Sequence, residues 1–131
     1  MSYDLYFWRE EQPAQRTADE TIDLLGTDRP IPGYAKFPND FVVAAFQDEF
    51  PEIAFEMQQL VWRGHDTGFE INFSHPDDDH IHLMTATCGH GLLQHTDILN
   101  RIIDVAHRFG CGMYDPQVPQ RYPEPDRVPK T

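Results

Sequence analysis

Hydrophobic positions along this chain first alternate and then recur at helical spacing. In residues 2–8, Tyr3, Leu5 and Phe7 fall on one side and Asp4 and Tyr6 on the other, which predicts an aromatic strand in the interior of a sheet. Gln12 and Pro13 break that run, and Thr17-Ala18-Asp19-Glu20 then has the form of a capping box. Ala18, Ile22 and Leu25 follow on one helical face, with Gly26 placed to supply a left-handed stop. Pro30, Pro32, Gly33 and Pro38 make residues 26–38 an ordered loop, of a length that often carries function. Phe41, Val42, Ala45 and Phe46 predict a second helix capped by Asn39 or Asp40 and ending near Phe50-Pro51.

Residues 53–62 fit both periods, since Ile53, Phe55 and Met57 alternate while Ile53, Met57, Leu60 and Val61 lie on one helical face. Residues 69–74 and 81–88 then read as a hairpin around Pro76-Asp77-Asp78-Asp79. Ile98, Ile102, Val105 and Phe109 form the broadest apolar stripe in the chain and predict a helix over 94–109, stopped by Gly110. Residues 111–115 supply a last strand, and five prolines in residues 116–131 predict an extended or mobile tail. The expected fold is a single α+β domain over 1–117 followed by a tail at 118–131. Its order, β-α-α-β-β-α-β, is that of a ferredoxin-like sandwich with the helices on one face of an antiparallel sheet.

Composition adds an asymmetry. Residues 17–79 hold 14 acidic and 3 basic side chains, which accounts for −11 of the net charge of −12. Such a balance disfavours nucleic acid and anionic membrane, both of which need basic groups, and favours a cationic partner. The absence of a long apolar run or a signal-like start leads to the expectation of a cytoplasmic protein. In that setting Cys88 and Cys111 are expected as free, buried thiols.

Candidate chemistry is sparse. His80 and His82 are two apart on a strand, so they share a face, and His75 or a neighbouring aspartate could complete a transition-metal site. Cys88, His90, His107 and Cys111 offer a second possible ligand set, although their spacing matches no zinc-ribbon or finger pattern. A thiolate at Cys88 paired with His90 or His95 lacks an orienting third group. No GxSxG elbow, phosphate loop or HExxH helix is present. The sequence therefore predicts a non-enzyme without a cofactor, and the metal site at His75, His80 and His82 is the alternative.

The acids make the leading candidate site. Asp19, Glu20 and Asp23 on the first helix, with Asp48, Glu49, Glu52 and Glu56 around the end of the second, are expected to form one negative surface if the two helices are neighbours. The Asp77–Asp79 turn is expected to stand apart from that surface. Both ends of the folded region, residues 1–7 (MSYDLYF) and the amphipathic helix running into Tyr114-Asp115-Pro116-Gln117, resemble a widespread group of small bacterial proteins. Some of these look like immunity proteins of polymorphic toxin systems. The resemblance implies a bacterial origin and an immunity role against a toxin, and it supplies no binding residues.

Overall fold

The computed structural model describes residues 3–11, 16–57, 59–64, 67–117 and 120–122. The expected break at Gln12 and Pro13 and most of the expected tail lie outside the described residues. At the centre is strand β1 (Tyr3–Trp8), held between β7 (Leu83–Cys88) and β8 (Gly112–Asp115). The hairpin partner of β7 is β5 (Gly68–Ser74), which pairs in turn with β4 (Gln59–Arg63), and β4 with the short edge strand β3 (Ala54–Glu56). On the far side, β8 pairs with β9 (Gln120–Tyr122), so the sheet reads β3-β4-β5-β7-β1-β8-β9 and every pairing is antiparallel. The class is α+β.

Within residues 53–62, compatible with either period, β3 and β4 pair with each other as antiparallel strands. The register of β4 with β5 places Leu60 opposite Ile71 and Trp62 opposite Phe69, on the core side. The sheet also continues past residue 117, because residues 120–122 pair with β8 as β9. A second, two-stranded sheet joins β2 (Phe37–Pro38) to β6 (His80–Ile81), with Phe37 opposite Ile81.

Alternation along β1 sends its side chains to two different layers. Tyr3, Leu5 and Phe7 enter the main core together with Met84, Ala86 and Cys88 of β7. Helices α2 (Asn39–Glu49) and α3 (Thr96–Arg108) cover this side, contributing Val42 and Phe46 from one and Ile102, Val105 and Ala106 from the other. Trp8, Leu83 and Tyr114 point the opposite way and pack with Ala18 and Leu25 of α1 (Ala18–Leu25). The helices therefore do not share one face, contrary to the arrangement expected from the sequence. The reason is that Trp8 and Leu83 give the second side of the sheet an apolar patch that needs its own cover.

The helix ends follow local chemistry. Thr17 and Glu20 complete the reciprocal capping box of α1, the glutamate accepting from Thr17 N at 3.1 Å and the threonine from Glu20 N at 3.2 Å. Gly26 closes α1 in right-handed backbone, φ −71°, and not as a left-handed stop, whereas Gly110 after α3 does have φ +75°. Neither Asn39 nor Asp40 caps α2. Pro38 occupies the cap position, and the Asn39 N–H is satisfied by Asp79 O at 2.8 Å, a bond that only the tertiary fold can provide. A 3₁₀ turn over His90–Gln94 precedes α3, so the regular helix starts at Thr96.

Candidate functional site

The seven acids of the expected surface divide into groups. Asp19, Glu20 and Asp23 lie exposed on α1, beyond one side of the sheet, while Asp48 and Glu49 end α2 on the other side. Two helices on opposite sides of a sheet cannot present one face, so the composite surface built from all seven is corrected to separate patches. Asp48 and Glu52 are exposed, and Glu56 is 3.8 Å from Arg63 with both groups largely in solvent. Exposed pairing of that kind contributes little.

Glu49 has a different role. Its Oε1 accepts from Arg101 Nε at 3.0 Å and its Oε2 from Arg108 Nη2 at 3.1 Å, while its backbone carbonyl accepts a further bond from Arg101. The Arg101 guanidinium lies 4.3 Å from the centre of the Phe50 ring. Glu49 thus clamps α2 to α3, and its charge is offset by two arginines of the same chain. Sequence spacing could not reveal this, because the partners are 52 and 59 residues away.

The three histidines of the alternative metal site are each engaged separately. His82 is 2% exposed and donates from Nε2 to Leu25 O, the last residue of α1, at 2.7 Å. Burial pushes its pKa down, more strongly than the Leu25 bond and the nearby Asp28 carboxylate push it up. His75 donates from Nδ1 to His80 O at 3.0 Å, and His80 from its own Nδ1 to Asp77 Oδ1 at 2.7 Å. Among the described residues no group of three or more His, Cys, Asp or Glu is arranged to hold a metal ion.

Cys88 and Cys111 are both free and buried. Cys88 lies opposite Tyr3 and Cys111 falls one residue beyond the Trp8–Gly112 pair, so six residues along the strand, about 20 Å, separate them. Burial pushes each thiol up to about 12, which removes the nucleophilic thiolate at neutral pH.

One concave feature gathers residues from four segments. A cleft of about 510 Å³ is lined by Asp28 from the loop after α1, Asn39 at the start of α2, Phe55 of β3, and His75, Asp77 and Asp78 from the β5–β6 turn. Three of its four segments are tied together. Asp28 Oδ1 accepts from His75 N at 2.8 Å, Asp77 Oδ2 is 3.4 Å from Lys36 Nζ, and Asp77 Oδ1 also accepts from Asp79 N at 2.9 Å. The 77–79 turn, expected to stand apart, is therefore joined to both the 26–38 loop and α2. The His80 ring N–H and then the Asp79 N–H hold the Asp77 carboxyl down to about 2.

Comparison with known proteins finds no family model, no curated protein and no solved structure that matches this chain. Among the described residues no helix is long and apolar enough to cross a membrane.

Proposed function

We propose that this chain is a non-enzymatic acidic protein that binds and neutralises a basic protein partner, in the manner of an immunity protein acting on a bacterial toxin. The observation that carries the reading is the concentration of −11 charges in residues 17–79, few of them offset by neighbouring bases. Asp19, Asp23, Asp48 and Glu52 are exposed, and neither α1 nor α2 has a basic residue in its last turn. Carboxylates near a helix C-terminus oppose its dipole, so folding alone does not favour Asp48 there. A field of one sign accelerates encounter with a partner of the other, and a basic nuclease cleft is one such partner. We also infer a ferredoxin-like core in β5-β7-β1-β8 with α2 and α3, to which α1 and the outer strands are additions; the strand order supports this.

The test is affinity purification of the tagged protein from its source cells at low salt, followed by co-expression with any recovered partner. The expected result is one stoichiometric basic protein, released as salt rises, whose toxicity is suppressed by co-expression. Recovery of no stoichiometric partner, or of one that is acidic and held equally well at high salt, would remove the reading.

A further inference from the structure

We propose that the cleft between the Asp28 loop, the start of α2, β3 and the β5–β6 turn is where a basic segment of the partner docks, seating an arginine whose neighbours in the partner are apolar. This rests on the reading above and gives it a location that the acids of α1 do not share.

Three observations on the cleft agree. First, its volume of about 510 Å³ is large enough to admit a side chain into an open cleft. Its lining among the described residues includes the carboxylates of Asp28, Asp77 and Asp78 but no lysine or arginine. Lys36 reaches Asp77 from outside, with 55% of its side chain in solvent, and offsets at most one of the three charges. A planar guanidinium can satisfy two carboxylates at once, which a compact ammonium does less well. A bound metal ion fits less well, since the described residues include no metal-ligating group of three.

Second, of the large hydrophobic side chains left in solvent, one is a wall of this cleft and the other two lie close in sequence to its lining residues. Phe55, 48% exposed, forms part of its wall. Phe41 and Met57, 67% and 95% exposed, each follow a lining residue by two positions. Single exposed hydrophobics are ordinary, but these three are the exposed large ones among the described residues and all fall within residues 41–57. Met57 also has φ +50°, left-handed backbone that costs a residue with a Cβ about 1 kcal/mol. Neither solvation nor backbone geometry favours methionine there, whereas burial under a partner would. Aromatic, methionine and arginine contacts are those enriched at the centres of protein interfaces.

Third, three of the four lining segments are already tied together. The Asp28–His75 and Asn39–Asp79 bonds join the Asp28 loop, the start of α2 and the β5–β6 turn, and the Asp77–His80 bond braces that turn, so docking has little loop ordering to offset there.

The test is a nuclear magnetic resonance titration of the isotope-labelled full chain with a short end-blocked peptide of alternating leucine and arginine. The expected result is amide shifts confined to residues near 28, 39, 55 and 75–78. Replacing arginine by citrulline, which keeps the shape and removes the charge, should weaken binding about tenfold or more. Asp78→Asn should weaken it by a similar factor and Phe55→Ala several-fold, both with unchanged spectra elsewhere. Asp78 takes no part in the bonds that hold the turn, so its substitution leaves the cleft walls intact. Shifts centred on residues 19–23 would overturn the cleft assignment and leave the basic-partner reading standing. Spermidine binding as tightly as the peptide, with Phe55→Ala without effect, would overturn it too, as would no binding at all. The basic-partner reading falls separately, on failure of the purification experiment.

Discussion

Replacing Glu49 by glutamine isolates the clamp between α2 and α3 from the acids that serve the surface. The substitution keeps the size of the side chain and removes its charge, weakening two arginine bonds at 3.0 and 3.1 Å. The arginine side chains are 41% and 46% exposed, so solvent screens both pairs, and each is worth about 0.5–1 kcal/mol. Against that, Glu49 ends α2, where removing an anion recovers about 0.3 kcal/mol of unfavourable dipole interaction. The Arg101 bond to the Glu49 backbone carbonyl survives the change. The net loss expected is therefore about 1 kcal/mol, or roughly 3–5 °C in melting midpoint for a domain of this size. Urea unfolding measures it directly, with an unchanged denaturant slope. A double-mutant cycle with Arg101→Met should return a coupling of about 0.5 kcal/mol or more. Asp48→Asn, one residue earlier and exposed, should change stability by less than about 0.5 kcal/mol. Equal losses at Asp48 and Glu49, or no coupling to Arg101, would refute the clamp.

His82 is expected to make stability depend on pH. Its folded pKa lies below the ordinary 6.5 because burial disfavours the charged ring, so the unfolded chain binds more protons between the two values. Stability should be full above about pH 6.5 and fall as pH drops towards the folded pKa. Urea midpoints for the native chain and His82→Gln should differ in slope there, and parallel slopes would contradict the assignment. Met57→Gly should stabilise the chain by about 0.5–1 kcal/mol through relief of the left-handed backbone, while weakening partner binding; a loss of stability would show that the side chain packs in the free protein. Cys88 and Cys111 should resist a thiol reagent in native buffer and both react after unfolding, whereas prompt native labelling would contradict their burial. Ile102→Ala, which opens a hole beneath α3, should cost about 2–5 kcal/mol by denaturant unfolding; a loss under about 1 kcal/mol would mean that Ile102 is not in the core.

Elements with a clean period were legible from the chain. The alternation in β1, the capping box at Thr17 and the stripe of Ile98, Ile102 and Val105 each report a local preference that tertiary packing reinforces. Residues 53–62 were not, because Ile53 and Met57 belong equally to an alternating set with Phe55 and to a helical face with Leu60 and Val61, and only the pairing of β4 with β3 and β5 decides. The side that each helix covers was illegible for a similar reason. Asp4 and Tyr6 give the second side of β1 a polar look, yet Trp8 on that same side is buried under α1. The acids were visible as a composition, but which of them are spent internally depends on contacts such as Glu49 with Arg101. The cleft was invisible from sequence because its lining residues, from Asp28 to Asp78, come from four separate segments.

The central claim, that this acidic surface recognises a basic partner, is tested most directly by the association rate of the recovered partner. It should be followed from low to roughly physiological ionic strength, where the screening length is ~8 Å. The account predicts a rate that falls steeply with salt and a dissociation rate that changes little, with Asp78→Asn lowering affinity more than Asp19→Asn. An association rate independent of salt would contradict it.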